Sequence, residues 1–228
     1  KILALNCLIS AYMMSVLYIL GLKQGDSQMT CMGLIVAALF FCLSRAEPLP
    51  KLSKQRPPAS VFAIPVAASI VGQFAVHLLC LQATLSLCAP HIDPDDPSMT
   101  PDGEFRPNTI NTAVFLITAM MQLNNFVVNY RGHPFMQGLT ENKALWYCMQ
   151  ALYPTIMIAT LGWFEPLNEF LQLVPMPSVE FRCVRCYSCT GCLPSISSID
   201  TARYVCLRVC VCLSLGGDER AVTNCSPS

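Results

Sequence analysis

The sequence predicts an all-α membrane protein, a bundle of about five transmembrane helices followed by an irregular, cysteine-rich tail. Of the 228 residues, 54% are hydrophobic and 12% are charged, whereas a soluble domain carries about 25% charged residues. In addition, five stretches approach the roughly 20 apolar residues that a helix needs to cross a bilayer. These apolar stretches make a lipid bilayer the expected partner. The net charge of zero at pH 7 gives no indication of nucleic-acid binding, so nucleic acid is not an expected partner.

The five predicted spans follow one another, and the charged residues are confined to the connections. The spans are residues 2–20, 29–43 (extendable to 28–44), 61–87, 110–128 and 144–164. Buried helices of a soluble core are the alternative for any single stretch, but five in series favour a membrane bundle. Lys1 leads directly into the first span with no signal-peptide cleavage site after it. We therefore expect this chain to be part of a longer protein.

The connections differ in charge on the two sides of the predicted membrane. The N-terminus and loops 45–60 and 130–143 hold seven basic residues, namely Lys1, Arg45, Lys51, Lys54, Arg56, Arg131 and Lys143. Loops 21–27, 88–109 and 165–181 hold two basic residues and nine acidic ones. Because basic loops stay in the cytosol, the first side is predicted to be cytosolic and the second lumenal or extracellular.

Three amide side chains in the fourth span are the main candidate site. Gln122, Asn125 and Asn129 recur at three and four residues and therefore share one helix face, whereas Asn124 lies off that face. One interpretation is the polar wall of a cavity. The other is a set of hydrogen bonds between helices of the bundle, and the sequence leaves both open.

Four further residues complete the set of candidates for a substrate cavity. Gln73 and His77 lie one turn apart in the third span, and Asp26 and Gln28 lie at the mouth of the second. An intramembrane histidine more often packs between helices than carries protons. No span has a carboxylate at its centre, which argues against a simple acid-lined cation site. No metal site is predicted.

Several motifs resemble those of the type V, subgroup A P-type ATPases over about residues 1–181. They are KILALNCLISAY at 1–12, SR at 44–45, PL at 48–49, LSKQRP at 52–57, QFAVH at 73–77, NFVVNYRGHPF at 125–135 and ENK at 141–143. The resemblance implies that the five spans correspond to helices five to nine of such a pump. It also implies a multi-pass protein of the endoplasmic reticulum membrane that forms an aspartyl-phosphate and dislocates mistargeted transmembrane helices. Older descriptions of this family name cation transport instead.

The chain departs from the family pattern at both ends. The phosphorylation, nucleotide-binding and actuator domains and the first four helices have no counterpart, and a tenth helix is due after Pro177 but does not appear. The resemblance implies ATP and Mg²⁺ for the complete pump, with none bound by this chain, which we expect to be inactive alone. Its expected partners are the missing N-terminal part and transmembrane-helix substrates. The alternatives are a non-catalytic membrane scaffold that binds partner helices and an ion pathway lined by Asn and Gln.

The segment 182–228 differs in composition from the spans and is predicted to be a separate tail. It holds eight of the fourteen cysteines, four of them spaced by three residues, namely Cys183, Cys186, Cys189 and Cys192. An iron–sulfur or zinc cluster would need different spacing or a second ligand pair, and lumenal disulfides are another alternative. Repeated Val-Cys pairs, such as Val205-Cys206, favour read-through of an intron or a frameshift.

Overall fold

The computed structural model describes residues 1–51, 53–54, 60, 62–91 and 105–175. This part of the chain is helical, with α1 (Ile2–Ile19), α2 (Asp26–Ser44), α3 (Ile64–Cys88), α4 (Thr109–Asn129), α5 (Lys143–Leu161) and a short α6 (Glu165–Phe170). The first five helices are long and apolar enough to cross a membrane, which confirms the predicted fold class. The tail, its cysteine run and most of the acidic loop 88–109 lie outside the described residues.

Local sequence explains where the helices begin and end. Asn108 and Asn142 cap α4 and α5 by accepting hydrogen bonds from the backbone N–H groups three residues ahead, at 2.7 and 3.2 Å, as N-cap residues do. Asp26 is the first residue of α2 rather than part of the preceding loop, because a carboxylate is favourable at a helix N-terminus. Helix α5 ends at Leu161, three residues earlier than predicted. Gly162 follows with φ 72° and ψ 21°, a left-handed conformation typical of a helix end.

Helix α4 is the centre of the bundle. It contacts α1, α2, α3 and α5, and 18 of its 21 residues are buried. Phe126 is fully buried and packs edge-on against Phe40 of α2, with ring centroids 4.9 Å apart. Tight packing of this kind and hydrogen bonds hold membrane helices together, because lipid is as apolar as the side chains themselves. The sequence predicted one polar face on α4, but it did not indicate that the helix is enclosed all round.

The connections gather at two ends of the bundle, as the alternation of spans predicts. At the basic end, the start of α1 meets the start of α3, where Lys1 Nζ donates to Ser69 Oγ at 2.6 Å. At the acidic end, Asn111 Nδ2 of α4 donates to the backbone oxygen of Lys23, beyond α1, at 2.7 Å. The assignment of the basic end to the cytosol stays a prediction.

Two loops at the basic end pair with each other. We call residues 46–49 and 130–142 the loop clasp. The backbone N–H of Gln137 donates to the backbone oxygen of Glu47 at 3.1 Å, and Pro48 forms an isolated antiparallel bridge with Met136. Tyr130 Oη donates to the backbone oxygen of Gln137 at 2.8 Å. The clasp therefore ties the end of α2 to the loop between α4 and α5.

Candidate functional site

The three amides of α4 are buried and contact neighbouring helices. Gln122 and Asn125 are each 1% exposed, and Asn129 is 9% exposed. Gln122 Nε2 donates to Ser10 Oγ of α1 at 3.0 Å. Asn125 Nδ2 donates to the backbone oxygen of Ile2, also at 3.0 Å. Both bonds fix α1 against the central helix.

Asn129 connects the polar contacts between α4 and α1 to α3. Its Nδ2 lies 2.7 Å from Gln73 Oε1 and 2.9 Å from Asn125 Oδ1. Gln73 Nε2 in turn donates to Ser69 Oγ at 3.1 Å, the same oxygen that accepts from Lys1. The result is a continuous polar network across α1, α3 and α4 near the basic end. This geometry favours the interhelical hydrogen bonds that the sequence left as one of two alternatives.

Two oxygens of these amides have no hydrogen-bond partner among the described residues. They are Gln122 Oε1 and Asn129 Oδ1. A buried acceptor without a donor costs free energy, roughly 1–3 kcal/mol by protein mutational data. These two acceptors therefore offset part of the stabilisation that the network provides.

Asp26 and Gln28 do not converge with the amides. His77 is buried within α3, and Asp26 is exposed at the start of α2. Gln28 is fully buried at the acidic end, where its Nε2 donates to the backbone oxygen of Leu171 at 3.0 Å. Asp26 and Gln28 thus belong to the acidic end and the other five candidates to α3 and α4. A substrate role for any of them stays a prediction.

Sequence reasoning gave Asn124 the least weight, yet it makes a short contact. Its Oδ1 accepts a hydrogen bond from Tyr153 Oη of α5 at 2.7 Å. Asn124 lies off the face of the other three amides because it serves a different neighbouring helix. The one feature of the sequence that could have indicated this contact was the tyrosine in the middle of the next span, Tyr153.

A cavity at the acidic end was not predicted. We call residues 162–175 the fold-back segment, because they return over the ends of α4 and α5. Val174 N donates to Thr112 Oγ1 at 3.0 Å, and Gln28 holds Leu171. Between this segment and the helices lies the end cavity, with a volume of about 620 Å³. Its walls include the buried threonines Thr112 and Thr160 and the acidic side chains of the short helix α6.

Two ionisable groups of the loop clasp, Glu141 and Tyr130, have pKa values shifted from the ordinary ones. The backbone N–H of Gly138 donates to Glu141 Oε2 at 2.6 Å, and His133 Nε2 lies 3.2 Å from the same oxygen. These two contacts, the Gly138 bond first, hold the pKa of Glu141 below its ordinary value. Burial raises the pKa of Tyr130. Within the described part of the chain, no three His, Cys, Asp or Glu side chains lie close enough to hold a metal ion.

Comparison with known proteins identifies the family. No family model matches the chain. The chain is 42% identical over 177 residues to the probable manganese-transporting ATPase PDR2 of Arabidopsis thaliana, across 78% of this chain and 15% of that protein. It is 40% identical over 179 residues to the endoplasmic reticulum transmembrane helix translocase of Saccharomyces cerevisiae, across 77% of this chain and 14% of that one. The translocase of the same name in Schizosaccharomyces pombe is 41% identical over 177 residues, across 77% and 14%.

The chain belongs to the type V, subgroup A P-type ATPases. It spans only 14 to 15% of the length of these curated relatives. With five helices that can cross a bilayer, this subgroup A ATPase is a multi-pass protein of the endoplasmic reticulum membrane.

Proposed function

We propose that the chain is the C-terminal membrane part of an ATP-driven pump that removes mistargeted transmembrane helices from the endoplasmic reticulum membrane. The observation that supports this most is the 40% identity over 179 residues to the yeast helix translocase. On this proposal the spans form part of the path of the substrate helix. The energy comes from ATP hydrolysed by other parts of a longer polypeptide.

The polar residues of the spans suit such a substrate. An apolar helix that carries scattered polar groups needs hydrogen-bonding partners in the bilayer rather than a ring of charges. Asp26 and Gln73 are the predicted site residues best placed to contact a substrate, because their side chains are exposed and partly exposed. Gln28, His77, Gln122, Asn125 and Asn129 are buried inside the bundle and would act by positioning the helices.

ATP and Mg²⁺ are implied by the family, and the described residues do not fit them. No cluster of three His, Cys, Asp or Glu side chains is found among these residues, and the sequence contains no Gly-rich phosphate-binding loop. The complete pump would bind the nucleotide in its cytosolic domains. The basic-end loops that connect the spans would transmit the resulting movement to the bundle.

Cation transport is the second candidate function, favoured by the name of the Arabidopsis relative, a probable manganese-transporting ATPase. Manganese prefers carboxylate, carbonyl and water oxygens as ligands. In the described spans the only carboxylate is that of Asp26, at the very start of α2. This ligand set supports helix translocation over a manganese site built from this part of the pump.

A chimeric pump tests the proposal. The matching 179-residue region of the yeast translocase would be replaced by the corresponding part of this chain and expressed in a strain that lacks the translocase. We expect the chimera to restore the removal of a mistargeted reporter helix from the membrane, together with ATP turnover that the reporter stimulates.

The matched control is this chain expressed alone in the same strain, which we expect to restore neither activity. A chimera that folds, reaches the endoplasmic reticulum and hydrolyses ATP but does not remove the reporter would contradict the proposal. Stimulation of its ATP turnover by Mn²⁺ instead of by the reporter would favour cation transport. Activity of the chain alone would contradict the assignment of ATP hydrolysis to other domains.

A further inference from the structure

The end cavity has the size of a small-molecule site. Its volume of about 620 Å³ lies within the range of roughly 300–1,000 Å³ typical of ligand pockets. Thr112 of α4 and Thr160 of α5 form its inner wall and are 1% and 3% exposed. The fold-back segment forms the outer wall and is held in place by the bond that Val174 N donates to Thr112 and the bond that Gln28 donates to Leu171. The cavity therefore lies between two walls that these bonds hold together.

The polar groups of this cavity call for a cation that donates hydrogen bonds. Glu165 and Glu169 line it, and among the residues that the structure describes no Lys, Arg or His side chain does. A carboxylate only accepts hydrogen bonds. The side-chain oxygen of Asn168, also in the wall, is buried without a partner among the described residues. A ligand with several N–H donors and a positive charge would satisfy all three groups.

The position of the cavity selects the kind of molecule that carries this cation. The cavity lies where α4 begins and α5 ends, at the level of the membrane surface. Trp163 and Phe164 are 77% and 54% exposed beside it, and aromatic side chains are enriched at the level of lipid headgroups. The apolar part of its wall includes Leu116, Ala159 and Leu161. A molecule with a charged amine next to an acyl chain matches both parts of the lining.

We propose that the end cavity binds the headgroup of a phospholipid with a primary ammonium, of the phosphatidylethanolamine type. Its three N–H donors would bond to Glu165, Glu169 and the side-chain oxygen of Asn168, while the start of an acyl chain lies against Leu116 and Leu161. A choline headgroup has the same charge but no N–H donor. The site does not depend on helix translocation and would be present in the chain alone.

Tryptophan quenching tests this site directly. The chain has two tryptophans, so Trp146→Phe leaves Trp163 in the cavity wall as the single reporter. The full chain is placed in nanodiscs of phosphatidylglycerol, and phosphatidylethanolamine or phosphatidylcholine with brominated acyl chains is added in increasing amounts. We expect phosphatidylethanolamine to reach half-maximal quenching at about one tenth of the lipid fraction that phosphatidylcholine needs. One charge-assisted hydrogen bond is expected to give a ratio of this size.

A charge-matched pair of variants provides the control. Glu165→Gln with Glu169→Gln removes both carboxylates of the cavity and should make the two lipids quench equally. Glu47→Gln with Glu141→Gln removes two exposed carboxylates at the opposite end and should leave the tenfold preference intact. Equal quenching in the parent chain would overturn the proposal, as would a preference that survives the loss of Glu165 and Glu169. If a lysine-rich peptide relieves the quenching and the two lipids do not differ, the cavity binds peptides and the lipid site is wrong.

Discussion

The side-chain nitrogen of Asn129 lies 2.7 Å from the side-chain oxygen of Gln73, although the two residues are 56 positions apart. Asn129 closes α4 and Gln73 lies in the first half of α3. Each amide satisfies a polar atom of the other inside an apolar bundle. The bond therefore fixes the relative position of two spans near the basic end.

The strength of this bond can be measured by a double-mutant cycle with Gln73→Leu and Asn129→Leu. Hydrogen bonds between membrane helices contribute about 0.6 kcal/mol on average and about 1.7 kcal/mol at most, and we expect a coupling free energy in this range. The measurement is unfolding of the full chain by sodium dodecyl sulfate in bicelles. Gln82→Leu with Asn129→Leu is the control and should be additive, because Gln82 bonds to Tyr12 instead. Equal coupling in both cycles would contradict the predicted role of the Asn129–Gln73 bond.

The sequence predicted the spans well because each needs only its own apolar length. It also placed Gln122, Asn125 and Asn129 on one face, since spacing determines which side chains share a helix face. It could not name their partners, Ser10, Ile2 and Gln73. Those contacts depend on how α1 and α3 lie against α4, and composition does not determine that arrangement.

The end cavity shows why the candidate site was only partly predictable. It forms because the fold-back segment returns over the helices, held by the bond from Gln28 to Leu171, 143 positions along the chain. Segment 165–181 was predicted only as an acidic connection, because no local pattern in it indicates a return toward the bundle. The left-handed Gly162 that ends α5 and allows the return would have been the most useful signal.

Gly132 in the loop clasp is predicted to be intolerant of any side chain. A Cβ atom there would collide with the backbone oxygen of Gln137 and lie 2.7 Å from Gly138 Cα. Backbone cannot move aside as easily as a flexible side chain, so Gly132→Ala should destabilise the chain by about 1–3 kcal/mol. Gly33→Ala in α2 is the control, because nothing lies within 4 Å of its Cβ position. It should be neutral or stabilising, as expected for alanine in a helix. Thermal unfolding in detergent measures both, and similar midpoints would contradict this packing.

The contribution of Glu141 to stability should depend on pH. Its pKa is held below the ordinary glutamate value, mainly by the Gly138 N–H and secondly by His133. A lowered pKa in the folded state means that the stabilisation is complete above the unfolded pKa. It is lost as the pH falls through the folded pKa. The difference in unfolding midpoint between the parent and Glu141→Gln should therefore be constant near neutral pH and shrink in acid. In a His133→Gln background this difference should still shrink in acid, because the larger contribution of the Gly138 N–H remains. A difference in unfolding midpoint that grows in acid would contradict the lowered pKa of Glu141.

Orientation in the membrane can be tested at two loops of opposite charge. A glycosylation acceptor engineered at Asp95 should be modified, because the acidic loops are predicted to be lumenal. One engineered at Lys54 should stay unmodified in the cytosol. The measurement is the shift in gel mobility that a glycosidase reverses. Modification at Lys54 alone would invert the predicted orientation of the bundle.

Asn125→Leu separates the two interpretations of the α4 amides. Asn125 donates to the Ile2 oxygen and accepts from Asn129, so the change removes two contacts and should lower the stability of the chimeric pump in detergent by about 1 kcal/mol. Because the side chain is 1% exposed and occupied by these contacts, we expect reporter-stimulated ATP turnover per folded pump to stay unchanged. The matched variant is Gln150→Leu, the same change at an exposed amide of α5 that makes neither contact, and it should leave stability unaffected. If Asn125→Leu abolishes the stimulation while the unfolding midpoint stays the same, Asn125 lines the substrate path. The contacts seen between α4 and α1 would then have to open during transport.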